Sequence, residues 1–301
     1  MPSYAQRLRQ RLEEIVALTE RLLDLSGIEY DPDKVERMSR SVGMAIMVLV
    51  PDSQWAPLGE EARRRQRALL ELWSSWIEHI RLMFSADSEE VRHQVEESAA
   101  TVTLWLDRSG EDFSIPRTIG EAKLTFSEHV KPFFQLLAPF ADNGDLVIVP
   151  DTNVLLRNQD LPSWGPSVGS EAFTVLLVPG VLAELDEQKT NHRNPDVREK
   201  ARRFSDRIKG WRNQGSLTRG VRVQGEVYVR VAAREPDFGT TLSWLDRDVA
   251  DDRILASILA FQRTDPRADV RLLSGDSIML AKADDAGIST GDVPDREPIP
   301  P

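Results

Sequence analysis

Leu146-Val147-Ile148-Val149-Pro150, followed at once by Asp151-Thr152-Asn153-Val154, is the stretch on which the fold of this chain turns. The first five residues form a short uncharged apolar run bounded by Pro, the pattern of a buried strand. The Asp stands where that strand stops and a loop or helix begins. In open α/β sheets, this is the edge at which ligands bind. A carboxylate there is a poor core residue, so it points to chemistry.

Three further acidic positions occur at similar boundaries. Glu184 follows Val178-Pro179-Gly180, where Pro and Gly end one strand-like run (Thr174–Val178) and open a helix. Asp251 and Asp252 begin a helix whose apolar stripe is Ile254, Leu255, Ile258 and Leu259. Asp251 lies three residues before Ile254 and so shares roughly its face, which favours Asp251 as the inward acid and Asp252 as its support. Asp276 follows Leu272-Leu273-Ser274-Gly275, again a strand end and a tight turn. Each acid alone has a structural alternative. Asp151 and Asp276 suit helix N-caps, Asp251 and Asp252 complement a helix dipole, and a lone Glu184 is commonly a solvated helix residue. Four acids at the same kind of boundary are harder to explain that way. Carboxylates held close repel one another unless a cation joins them, and Mg²⁺ or Mn²⁺ suits such oxygen ligands. The chemistry that follows is metal-assisted phosphodiester hydrolysis.

Outward from this segment, the chain divides at the turn-rich Ala141-Asp142-Asn143-Gly144-Asp145. After it, strand-like runs (146–149, 174–178, 221–231, 270–273) alternate with helix-like runs (181–188, 195–211, 249–263, 277–286). That alternation argues for a mostly parallel sheet in an α/β/α sandwich. Before it, helical spacing predicts helices over 4–25, 60–84, 88–106 and 119–137. Another begins at Asp31-Pro32-Asp33, with Val35, Met38, Val42 and Ile46 on its apolar face. Trp73 and Trp76 fall at core spacing. The expected organisation is an all-helical domain over 1–143, an α/β domain over 144–290 and a Pro-rich frayed tail over 291–301.

With 301 residues, 41% hydrophobic and 29% charged, the chain is long enough for two ordinary domains. It has no Cys, which excludes disulfides, thiolate catalysis and Cys-based zinc sites. The longest apolar run, Val42–Val50, falls short of the ~20 residues of a membrane span. Met1–Glu14 has no signal-like apolar segment. A cytoplasmic protein without a membrane partner is expected. The net charge of −11 argues against broad nucleic-acid affinity but leaves room for a local basic surface. The stretch from Lys189 to Arg212 supplies one, as an amphipathic helix with Val197, Ala201, Phe204, Ile208 and Trp211 on its buried seam. Lys189, Arg198, Arg202 and Arg253 are the candidate contacts to a nucleic-acid backbone, set against a solvated charged face as the plainer reading. Thr152, Asn153 and Ser274 are candidates for supporting roles, with Asn153 expected to hold its turn through the backbone.

Asp151-Thr152-Asn153, the Val-Pro-x-x-x-x-Glu segment ending at Glu184, Asp251-Asp252-Arg253-Ile254-Leu255 and Ser274-Gly275-Asp276 together resemble, in order and context, the PIN-domain nucleases. The resemblance covers roughly 146–289. It implies metal ligation by Asp151, Glu184, Asp251 and Asp276, with the doubled Asp leaving the third ligand open between Asp251 and Asp252. It also implies divalent-metal-dependent cleavage of RNA, usually single-stranded. The helical front has no part in the resemblance. It would serve self-association or a protein partner, and it departs from the form of the small toxin members. The competing function is a nucleic-acid-binding or partner-regulated module of the same fold with little hydrolysis. A haloacid-dehalogenase-like phosphatase needs a second Asp two residues after the first, where this chain has Asn153. Nucleotide-binding glycine loops are absent.

Overall fold

The computed structural model describes residues 2–31, 53–108, 115–142 and 144–295. The chain forms two compact units, residues 6–139 and residues 1–5 with 140–301.

The first unit is helical, built from α1 (Tyr4–Asp24), α2 (Glu60–Met83), α3 (Glu89–Asp107) and α4 (Ile119–Leu137). Its helices fall where the apolar spacing predicts them. The helix expected from residue 31 onward lies, Asp31 apart, outside the described residues. One element departs from the helical reading: β1 (Ile28–Tyr30) pairs antiparallel with β2 (Ser53–Trp55). Strands of three residues carry too little period-2 pattern to be read from sequence. The core of this unit is aromatic. Trp73 stacks on Trp76 at 5.2 Å, and Phe133 meets both edge-on at 5.6 and 5.1 Å. Both stacked indoles find an acceptor for the N–H they bury: Trp73 Nε1 donates to Thr103 Oγ1 (2.8 Å) and Trp76 Nε1 to the Leu8 carbonyl (2.8 Å). The tryptophans are therefore core, as their spacing suggests.

The second unit carries β3 (Leu146–Pro150), α5 (Thr152–Arg157), β4 (Ala172–Leu177), α6 (Pro179–Asn191), α7 (Pro195–Gln214), β5 (Val221–Gln224), β6 (Glu226–Val231), α8 (Ala250–Thr264), β7 (Asp269–Leu273), α9 (Ser277–Asp285) and β8 (Ser289–Thr290). Six strands form one sheet in the order β5-β6-β4-β3-β7-β8, parallel except for the β5–β6 pair. The run 221–231, read as one strand, is a hairpin. Gly225 turns it at φ 56°, a left-handed conformation that glycine adopts without steric cost. Val147, Ile148 and Val149 are at most 4% exposed, as expected of a central strand covered on both faces. After β3 the chain winds to β4 and β6 on one side. It then returns to β7 on the other and winds onward to β8. The order thus reverses between β3 and β7, and the crevice at their carboxyl ends is the position at which doubly wound sheets bind ligands. Beyond β8, the Gly291 amide donates to the Leu272 carbonyl (3.0 Å), and Asn158 Nδ2 donates to the Asp295 carbonyl (2.9 Å). Residues 291–295 are fastened to the sheet unit; 296–301 lie outside the described residues.

His79 on α2 is 7% exposed, and burial lowers its pKa below the ordinary 6.5; Glu78 opposes the shift and Arg7 adds to it. The folded chain therefore binds fewer protons than the unfolded chain just below pH 6.5. Stability is complete above that pH and falls as pH drops toward the lowered folded value. His79→Gln removes this titration. Its thermal midpoint, followed by circular dichroism, is expected to fall less between about pH 7 and about pH 5 than that of the natural chain. Parallel falls would show that His79 is not buried in solution.

Candidate active site

The register of β3 and β7 builds the site. Pro150 pairs with Leu273, and the Asp151 amide extends the ladder by donating to the Leu273 carbonyl (2.9 Å). This places Asp151 beside Ser274, whose hydroxyl donates to Asp151 Oδ2 at 2.6 Å. The other oxygen, Oδ1, accepts from the Val154 amide (2.7 Å) and caps α5. Capping and chemistry are thus not alternatives for Asp151, because the cap uses one oxygen and orients the second. Asn153 is exposed, and the turn it was expected to hold is held by Asp151 instead.

Glu184 arrives on α6, which starts at Pro179, where a missing N–H costs nothing. A Cβ on Gly180 would lie 3.1 Å from Ile254 Cγ1, so the glycine lets the first turn of α6 close on α8. Val181 and Leu185 are buried and Glu184 is half-buried between them. Its Oε2 accepts from Thr152 Oγ1 (2.8 Å) and its Oε1 from Gln188 Nε2 (2.9 Å). Thr152, next to Asp151 and fully buried, ties the second acid to the first.

The Asp251–Asp252 pair divides in a way the helical wheel did not anticipate. Asp252 is the more buried, at 4% exposure. Both its oxygens are engaged: Oδ1 by Lys282 Nζ (2.6 Å) and Oδ2 by the Asp246 amide (3.0 Å). Of the two acids left open for the third ligand position, Asp252 is thus the one whose oxygens are engaged inside the protein, while the support expected of it goes to the fold through Lys282 and the Asp246 amide. Asp251 is half-buried and accepts no hydrogen bond from any described residue. Burial raises its pKa, and the charges of Asp276, Asp252 and Asp151 raise it further against the opposing Lys282. Asp276 is exposed and caps α9, its Oδ1 accepting from the amides of Ile278 (2.7 Å) and Met279 (3.3 Å). Ser274 Oγ also accepts from the Asp276 amide (3.0 Å), so one hydroxyl sets two of the acids.

Asp151, Asp251 and Asp276 therefore share one electrostatic environment, with Glu184 joined to it through Thr152. Their chemistry, carboxylate oxygens without sulfur or imidazole, fits Mg²⁺ or Mn²⁺. Among the described residues, no three Asp, Glu or His side chains are drawn into a ready-made ligand group. The oxygens of Asp151, Glu184 and Asp276 rest instead on neutral donors of the protein, which a cation can displace without separating an ion pair.

Most of the basic residues singled out in the sequence are engaged elsewhere. Lys189 pairs with Asp186 (2.5 Å) and Arg253 with Glu235 (2.5 Å). Arg198 Nη1 donates to the carbonyls of His192 (2.6 Å) and Arg193 (3.1 Å). Arg202 is exposed and makes no hydrogen bond or close ion pair with a described residue. Two residues that matter were not singled out. Gln188 is one helical turn beyond Glu184, a spacing that could have flagged it. Lys282 lies in the last turn of α9, where a cation needs no special explanation, and only the tertiary structure brings it to Asp252.

Among the described residues, no helix is long and apolar enough to cross a membrane. No curated protein matches the chain. A family model described as the PIN domain matches residues 148–293, a span that contains every acid of the site and none of the helical unit. The C-terminal half of this chain is a PIN domain, a nuclease fold whose members are generally metal-dependent hydrolases.

Proposed function

We propose that this protein is a ribonuclease that hydrolyses phosphodiester bonds of single-stranded RNA in the cytoplasm, using Mg²⁺ or Mn²⁺ held by Asp151, Glu184, Asp251 and Asp276. Hydrolysis belongs to residues 144–290, and 1–143 serve self-association or docking of a protein partner. The observation that carries this reading is Asp251, a half-buried carboxylate that accepts no hydrogen bond from a described residue and lies within the electrostatic reach of Asp276 and Asp151, whose charges help raise its pKa. Such an arrangement is costly for a purely structural purpose. An ion held by these four acids would supply activation of a water molecule and stabilisation of the phosphoryl oxygens in an in-line displacement. The protein's own contribution is orientation. Ser274 fixes Asp151 and the Asp276 backbone, Thr152 and Gln188 fix Glu184, and Lys282 neutralises Asp252 so that it adds little to the local negative charge. A second reading, a nucleic-acid-binding module with little hydrolysis, draws on the lack of a ready-made ligand group among the described residues.

Cleavage of labelled single-stranded RNA with Mn²⁺ separates the two. Asp151→Asn is expected to abolish cleavage with its circular dichroism unchanged. Ser274→Ala is expected to raise the Mn²⁺ concentration for half-maximal rate about tenfold, as is typical when a ligand's supporting group is removed. Equal cleavage by the natural chain and Asp151→Asn would reject the site. No cleavage by the natural chain with either ion would favour the binding module.

Lys282→Met tests the supporting pair. It leaves the Asp252 carboxylate buried without its cation, which costs about 3–5 kcal/mol for a fully buried pair. Lys282 is 31% exposed, so a loss of about 2 kcal/mol is expected in urea unfolding. Asp252→Asn, which removes the buried charge itself, should cost less. A Lys282→Met chain as stable as the natural one would show the pair to be energetically idle.

A further inference from the structure

A cleft of about 560 Å³ opens beside Glu184 along the last turns of α6 and the loop into α7. Its volume suits a small organic ligand or one monomer of a polymer. We propose that it is a sugar–phosphate subsite that holds one ribonucleotide of the substrate and distinguishes RNA from DNA through the ribose 2′-hydroxyl. This rests on the ribonuclease reading and assigns the subsite to residues outside the acidic cluster.

The donor and acceptor pattern of the cleft carries the proposal. Gln188 Nε2 donates to Glu184 Oε1 (2.9 Å), which turns the other atom of the amide away from that carboxylate. The opposite atom, Gln188 Oε1, is buried and has no hydrogen-bond partner. An acceptor held in that state is costly unless something supplies a donor. The loop into α7 supplies donors to the lining, at His192, Arg193 and Asn194. With His192 Nδ1 accepting from the Asn194 amide (3.1 Å), the ring nitrogen left to donate is Nε2. Asn194 Oδ1 accepts from the Asp196 amide (2.9 Å), which leaves its Nδ2 to donate. The Arg193 guanidinium makes no hydrogen bond or ion pair with a described residue. Arg198 clamps the carbonyls of His192 and Arg193, so the loop presenting these donors is braced in advance. The loop donors together with the buried, unpartnered Gln188 Oε1 complement a nucleotide backbone, whose phosphate oxygens accept and whose one constant donor in RNA is the 2′-hydroxyl. Glu184 and Glu187 add negative charge to the lining. Recognition therefore depends on placed hydrogen bonds and one guanidinium rather than on a basic surface.

Binding of a fluorescent single-stranded RNA and its all-deoxy counterpart, measured by anisotropy in EDTA, tests this without cleavage. The natural chain is expected to bind the RNA about threefold to tenfold more tightly than the DNA, the range of one hydrogen bond. Gln188→Leu should abolish that preference, and a single 2′-deoxy substitution in the RNA should do the same at one position only. Arg193→Gln, at an exposed position, should reduce the slope of log affinity against log salt by about 0.7, the loss of one single-strand phosphate contact. Cleavage with Mn²⁺ is read separately. Normal cleavage by the natural chain, with Gln188→Leu keeping its RNA preference and Arg193→Gln its salt slope, would overturn the subsite and spare the ribonuclease. An RNA preference that depends on Gln188 without any cleavage would support the subsite and sink the hydrolytic reading. Equal or absent binding of RNA and DNA by the natural chain would overturn the subsite.

Discussion

Repulsion between like charges, held in check by the register of two parallel strands, is the constraint around which the C-terminal half is built. Pairing of Pro150 with Leu273 fixes Asp151 and Ser274 side by side, although they lie 123 positions apart in the chain. Two unit charges about 6 Å apart at a protein surface repel by about 3 kcal/mol. A sheet can meet that cost because its central strands are buried on both faces and its ladder cannot slip without turning apolar side chains out of the core. The acids are therefore presented from rigid ends rather than from free loops. The close approach of α6 to α8 at Gly180 extends the same rigidity to Glu184 and the Asp251 turn.

The chain as a whole repels polyanions, with a net charge of −11. Its basic residues do not override this by number. Lys189 and Arg253 are paired with carboxylates, and Arg198 is tied to backbone carbonyls. What remains is local, which limits nonspecific attraction of a polyanion; under the proposed function, recognition rests on the shape and hydrogen bonding of a small surface. The helical unit contributes an aromatic core of its own around Trp73, Trp76 and Phe133.

Much of this was legible in the sequence because the relevant signals are local. An apolar run ending in Pro-Asp, a Pro-Gly helix start, and a Ser-Gly-Asp turn each state where a strand ends and a helix begins. The helices of the first unit announce themselves by apolar spacing. What was not legible depends on partners distant in the chain. The helical wheel turned Asp251 inward, yet Asp252 is the buried member, because Lys282 on α9 and the Asp246 amide meet it there. The 221–231 hairpin was hidden because a single left-handed glycine interrupts an otherwise continuous strand pattern. The β1–β2 pair was hidden because two strands of three residues stabilise each other only through contacts that no short window contains.

The partners of the acids also sort them by purpose. An acid whose charge is a permanent part of the fold is best met by a cation, because removal from water is then offset by direct attraction. Asp252 has that pairing, and so do surface acids such as Asp186 and Glu235. An acid reserved for a transient or exchangeable cation is poorly served by a lysine, since the incoming ion would have to displace a charge of its own sign. Asp151, Glu184 and Asp276 are met instead by hydroxyls, an amide side chain and helix N–H groups, and Asp251 by no described donor. Neutral donors orient a carboxylate while leaving its charge uncancelled. That distinction separates Asp252 from its neighbour Asp251 more sharply than burial does, and it explains how two adjacent aspartates on one helix can belong to different parts of the same machinery.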